Sequence, residues 1–240
     1  MKIGVATMVA LVGLSACSKD DEPGGDNPTS RWKLVTISRT GSSPYEEEYD
    51  WDNKGRIIKD YYEEEEYSYG SKTVTVKSDG ETREFSTNSN GYIVNGKDHY
   101  GDEVNFTYNS KNQLTSFSGD SFETNVTWSN DRISSCSGYW DSYKVGPYQF
   151  EYASDSEVNA DCARIINGWF FATQITDGFT AFWMSGLLGT LPSQPLSRIK
   201  GDGDTSTISF KEIDSNGCPG IMTVSDNRRS LTYELEWAHR

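Results

Sequence analysis

Histidine is nearly absent, with two in 240 residues. His239 is next to the last residue, and His99 sits in the loop Gly96-Lys97-Asp98-His99-Tyr100-Gly101. A nucleophilic triad would have to rest on His99, and adjacent Asp98 is no orienting acid by adjacency alone. No catalytic residue is therefore assigned. Basic charge is short as well: 22 Lys and Arg against 36 Asp and Glu leave a formal charge of −14. Nucleic acid is excluded as a partner, because phosphate neutralisation needs a basic surface. Cysteine occurs four times, as Cys17, Cys136, Cys162 and Cys218, in a spacing that fits no zinc motif. Asp50 to Gly55 has the outline of a calcium loop, but Lys54 and Tyr61 stand where ligands are needed. No metal and no cofactor is expected. Long apolar runs are missing too. Gln174, Thr176 and Asp177 break the most apolar stretch, so nothing reaches the ~20 residues of a spanning helix.

The N-terminus carries the clearest address. Lys2 precedes an apolar run, Ile3 to Leu14, too short for a permanent span. It ends in Leu14-Ser15-Ala16-Cys17, which resembles the lipobox of bacterial lipoproteins. That resemblance implies a signal peptide over 1–16, cleavage before Cys17, and acylation of Cys17 as an outer-membrane lipid anchor. Ser18-Lys19-Asp20-Asp21-Glu22 is similar to the acidic export signal of surface lipoproteins in the Bacteroidota. It implies the outer face of the outer membrane, the periplasmic face being the alternative. Residues 17–30 read as lipidated cysteine and flexible acidic tether, with two prolines and two glycines over 23–28. A single β domain is expected over 31–240.

What is plentiful is aromatic side chain, 13% of the chain against 35% for all hydrophobics. Tyr and Trp favour strands with one wet face. The stretch Val104 to Gly138 states one pattern twice. Phe106-Thr107-Tyr108-Asn109-Ser110-Lys111-Asn112-Gln113-Leu114 is followed by Val126-Thr127-Trp128-Ser129-Asn130-Asp131-Arg132-Ile133. Each is a strand, a polar turn and a return strand, hence a hairpin. Weaker copies begin at Tyr49, Phe85, Phe150 and Lys211. After the central turns the apolar residues stand three apart, Leu114 to Phe117 and Ile133 to Cys136. A β-bulge would return both to one face and curl the sheet. Glu46-Glu47-Glu48 and Glu63 to Glu66 put charge on both faces of their strands, which predicts edge or projecting positions. Residues 157–190 change to helical spacing and read as a helical insert on the concave face of the sheet.

The repeats resemble the YD repeats of RHS-type cell-surface proteins. With the lipobox, they resemble a Bacteroidota family of outer-membrane lipoproteins of unknown function. The fold expected is mainly β: a curled antiparallel meander of YD-like hairpins, an open or half barrel around a short helical insert. Cys136, Cys162 and Cys218 are expected as buried thiols, with one disulfide as the alternative in an oxidising compartment.

The ligand candidates are Tyr139, Trp140 and Tyr143, on a Gly/Pro-bounded connection where aromatics could stack on sugar rings. The function expected is a lipid-anchored surface binding or accessory protein, its partner a glycan or another envelope protein. The alternatives are a structural envelope scaffold and, last, a carboxylate-based glycan hydrolase; a binding role is expected ahead of an enzymatic one.

Overall fold

The computed structural model describes residues 32–39, 44–141, 143–176, 179–201 and 203–239. Sixteen strands lie among them: β1 (Trp32–Arg39), β2 (Tyr45–Trp51), β3 (Ile57–Asp60), β4 (Glu65–Tyr69), β5 (Thr73–Ser78), β6 (Glu81–Thr87), β7 (Ile93–Lys97) and β8 (Glu103–Tyr108). The second half holds β9 (Leu114–Ser118), β10 (Phe122–Ser129), β11 (Arg132–Trp140), β12 (Tyr143–Tyr152), β13 (Leu196–Gly201), β14 (Asp204–Ile213), β15 (Pro219–Ser225) and β16 (Ser230–His239). Every strand pairs with its sequence neighbours, and β1 pairs antiparallel with β16 from Trp32↔His239 to Arg39↔Tyr233. The barrel is therefore closed, not open or half open. Closure removes every edge. The glutamate-rich strands are accordingly interior members of the sheet: β2 lies between β1 and β3, and β4 between β3 and β5.

One local unit recurs round the barrel. In five turns an Asx carboxylate or amide oxygen accepts from the backbone N–H groups two and four residues on. Asp52 does so for Lys54 and Arg56, Asn88 for Asn90 and Tyr92, Asp98 for Tyr100 and Asp102. Asn109 and Asp214 do the same for their own turns. The fourth residue of each turn has positive φ: Gly55, Gly91, Gly101, Asn112 and Gly217, residue types that tolerate the left-handed region. After four of the hairpin turns comes a bulge. Trp51↔Ile57 follows Asp50↔Lys59, Thr87↔Ile93 follows Ser86↔Asn95, Tyr108↔Leu114 follows Thr107↔Ser116, and Trp128↔Ile133 follows Thr127↔Ser135. The extra residues are Ile58, Val94, Thr115 and Ser134. Leu114 with Phe117, and Ile133 with Cys136, thus share the buried face. The carbonyl of the residue ahead of each bulge accepts from an aromatic on a following strand. Tyr69 Oη donates to Ile57 O, Tyr108 Oη to Ile93 O at 2.6 Å, Trp128 Nε1 to Leu114 O at 2.7 Å, and Tyr152 Oη to Ile133 O at 2.9 Å.

The two faces of the wall differ in polarity, with Glu47, Asp60, Thr87 and Thr124 among the polar exceptions on the buried side. Buried positions are apolar and aromatic, among them Tyr49, Val74, Phe85, Phe106, Phe117 and Met222. The alternate, exposed positions are polar: Glu46, Glu48 and Asp50 on β2, Glu103, Asn105 and Thr107 on β8, Thr207, Ser209 and Lys211 on β14, Glu234 and Glu236 on β16. Large exposed hydrophobics among the described residues are one isoleucine, Ile58, and five tyrosines.

The lumen is filled by the segment joining β12 to β13. It comprises α1 (Ala160–Phe171), a π-helical turn (Ala172–Thr176) and α2 (Thr180–Met184). Its rings reach strands all round the wall. Phe171 meets Phe150 on β12, Trp169 meets Tyr233 on β16, Phe182 meets Tyr67 on β4 and Phe85 on β6, and Phe179 meets Phe106 on β8 and Phe117 on β9. The segment enters and leaves at one end. Asn159 N donates to Gly217 O in the β14–β15 turn, and Thr190 N to Asn112 O in the β8–β9 turn. In a meander those two turns lie at the same end as the start of β1. Tyr108→Phe, which deletes one bulge-to-aromatic hydrogen bond, should cost about 1 kcal/mol, read as a lowered denaturant midpoint at unchanged slope.

Candidate functional site

At the opposite end, the β3–β4, β5–β6 and β7–β8 loops surround a cavity of about 700 Å³. That volume falls within the ~300–1,000 Å³ of small-molecule sites. Its floor is aromatic: Tyr67, Phe85 and Phe182, with Phe179 from the tip of the insert. Phe179 is held at φ 59°, a conformation costly for an aromatic residue. The rings of Phe85, Phe106, Phe117 and Phe182 surround it and fix it there. The rim and walls carry five carboxylates, Asp60, Glu63, Glu65, Asp79 and Glu81, with Arg83 and His99. Arg83 pairs with Glu65, which also accepts from Tyr67 Oη. Asp60 is 2% exposed and accepts from the backbone N–H groups of Tyr62 and Glu63. Burial outweighs those bonds and pushes its carboxyl up to about 6. Burial likewise raises Glu63. A second cavity of about 350 Å³ lies at the same end on the other side of the insert, between Tyr45, Trp169 and Tyr233.

Glu47 joins wall to insert. It is 7% exposed and accepts from Trp169 Nε1 at 2.8 Å and from Tyr49 Oη. Burial pushes it to about 7, against the lowering effect of both donors. A buried carboxylate costs free energy unless it is bonded, and these two donors supply that bonding. The middle glutamate of Glu46-Glu47-Glu48 therefore faces the lumen while its neighbours face solvent.

The aromatic residues singled out in the sequence do not share one face. Tyr139 is exposed at 47% and donates to Glu123 Oε2 at 3.3 Å. Trp140, next along β11, packs on the core and stacks on Phe122 with ring centroids 4.8 Å apart. Tyr143 is the cross-strand partner of Trp140 and is 77% exposed. Cys17 and residues 1–31 lie outside the described residues. Asp52, in the calcium-like stretch, spends its oxygens on turn N–H groups and on Arg56. Among the described residues no group of three or more His, Cys, Asp or Glu is arranged to hold a metal ion.

The mouth cavity was not legible as a site, because its members come from three separate hairpins. One signal pointed towards it. Glu65 alternates with exposed Glu66 and Ser68 and shares the phase of Tyr67 and Tyr69, so it had to face inward.

No family model and no curated protein matches the chain. Solved structures do. A porin-like protein from Bacteroides uniformis has a TM-score of 0.71 at 13% identity, covering 88% of this chain and 99% of its own. A porin-like protein from Bacteroides vulgatus gives 0.61 at 12% identity, with 85% and 98% covered. At such identity the likeness establishes the fold: a closed antiparallel barrel. It also corrects the YD-repeat reading. The aromatic-x-aromatic, polar-turn, aliphatic pattern reports a bulged barrel hairpin with an Asx turn, and carries no kinship with RHS-type repeats.

Glu47 and Asp60 set a pH dependence. Their folded values lie above the ordinary carboxylate values of 4.5 and 3.8, so the folded state binds more protons than the unfolded state between roughly pH 4 and 7. Stability should fall as pH rises through that window. At about 1.4 kcal/mol per pKa unit, Glu47 contributes about 3–4 kcal/mol of the loss. Glu47→Gln should flatten the profile of melting temperature between pH 5 and 7.5. Trp140→Ala should cost about 2 kcal/mol, whereas Tyr143→Ala should stay within about 0.5 kcal/mol, both read by chemical denaturation.

Proposed function

We propose that this chain is an outer-membrane lipoprotein whose barrel stands in water on its tether and binds a ligand at its open end. The polar outer wall carries this reading. A membrane-spanning barrel needs an outward apolar band about 25 Å tall, and lysine or arginine at its midplane costs ~2–4 kcal/mol. Glu46, Glu48 and Asp50 along one strand, or Thr207, Ser209 and Lys211 along another, offer no such band. The apolar, filled lumen also argues against a channel. The porin-like neighbours fit an outer-membrane setting, and the lipobox at Cys17 supplies the means of attachment. Surface exposure rests on the acidic run after Cys17. Because β1 begins at the end where the insert enters, the tether leaves from there and the mouth cavity points away from the lipid.

Five carboxylates over an aromatic floor favour an organic cation with an apolar body, such as an amine or a basic peptide side chain. Carboxylates attract the cation, and the rings add cation–π attraction. A glycan ligand is the second reading, favoured by the exposure of Tyr139 and Tyr143 beside the Trp140 edge. A scaffold without a small-molecule site is the outcome if neither binds.

Cys17→Ala should convert the protein from detergent-extracted to freely soluble, and the soluble form should produce no conductance in planar bilayers. Insertion with stable conductance would overturn the reading. In calorimetric titration, spermidine or an arylalkylamine should bind the soluble form. Glu63→Gln with Glu81→Gln should weaken that binding about tenfold or more, with neutral oligosaccharides unaffected. Binding of oligosaccharides alone, lost in Tyr143→Ala, would favour the glycan reading.

A further inference from the structure

We infer that Cys162 and Cys218 form a disulfide that fastens the lumen-filling insert to the barrel wall. Their sulfurs lie 2.9 Å apart, inside the ~3.5–4.0 Å at which even unbonded carbons pack. A small closing movement brings them to the ~2.05 Å of a bond. The approach is fixed by its surroundings. Cys162 is in the first turn of α1, whose capping residue Asn159 donates from its backbone to Gly217 O at 2.8 Å and from its side chain to Asn216 O at 3.2 Å. Those acceptors immediately precede Cys218 in the Asp214–Cys218 turn. Gly217 is at φ +82°, and a Cβ there would meet Asn159 N at 2.9 Å, so helix and turn abut closely at this point. Both thiols are buried with Val158 and Ala163. Cys136 is remote from the pair, its Sγ directed at Gln174 O at 3.7 Å.

The reaction is thiol–disulfide exchange with the disulfide of an envelope dithiol oxidase. The Cys162–Cys218 bond forms, the oxidant's S–S bond breaks, and the two thiol protons pass to the oxidant's sulfurs. Burial raises both thiols, so the folded pair is a poor nucleophile, and exchange belongs to folding, before the junction closes.

The three cysteines fall on separate tryptic peptides, 133–144, 145–164 and 212–228, which makes the bond directly readable. The purified full chain is unfolded, refolded in a buffer of oxidised and reduced glutathione, quenched with N-ethylmaleimide and digested without reduction. This arm does not depend on where the protein resides, so failure of the envelope reading is distinguishable from failure of the cross-link. The expected result is a linked 145–164/212–228 species that holds most of both peptides and disappears on reduction, with 133–144 alkylated. In Cys218→Ala, 145–164 should appear alkylated. Alkylation of all three peptides without reduction, or a link through Cys136, would overturn the inference.

Discussion

A sixteen-stranded barrel is too wide for its wall side chains to meet across the lumen. With a polar lining such a barrel holds water. Here the lining is aliphatic and aromatic, so the lumen has to be occupied by something equally apolar. The segment between β12 and β13 meets that need. Phe171, Phe179, Phe182 and Trp169 each reach a different sector of the wall. Wall and insert are one core, and neither half could keep its buried face dry alone.

The wall is held by a small unit used repeatedly. An Asx turn reverses the chain, a bulge follows, and the carbonyl before the bulge is taken by an aromatic from a following strand. A bulge disrupts the ladder and adds twist. The aromatic donor satisfies the group so released, and the extra twist helps bring β16 round to β1. This unit explains why tyrosine and tryptophan, not phenylalanine, stand at Tyr69, Tyr108, Trp128 and Tyr152, at or beside the ends of their strands. The ring packs against the core while the hydroxyl or indole N–H finds an acceptor.

Much of this unit was readable. The doubled pattern over 104–138, the three-residue spacing after each turn, and the change to helical spacing near 157 all follow from chemistry local to the chain. Closure was not readable, because the pairing of Trp32–Arg39 with the C-terminal strand joins segments about 200 residues apart, and no periodicity records that. The glutamate runs misled for a related reason. Charge on both faces reads as an edge, but Glu47 faces the lumen, where Trp169, 122 residues away, donates to its carboxyl. The mouth cavity hides for the same kind of reason, since Asp60, Arg83 and His99 come from three successive hairpins and meet over Phe179 and Phe182 of the insert, which lies far along the chain.

The likeness to porin-like proteins and the chemistry of the wall bear on different questions. Strand number and connectivity set the shape, which the neighbours share. The alternation of side chains sets which solvent each face can meet, and the same backbone accepts either phase. A lipid-embedded barrel places its apolar residues outward and water or polar groups within; this chain places glutamate, lysine and threonine outward and phenylalanine within. The inversion accounts for the insert and for the low aliphatic content together. A barrel that carries its own apolar solvent inside needs no membrane to fold.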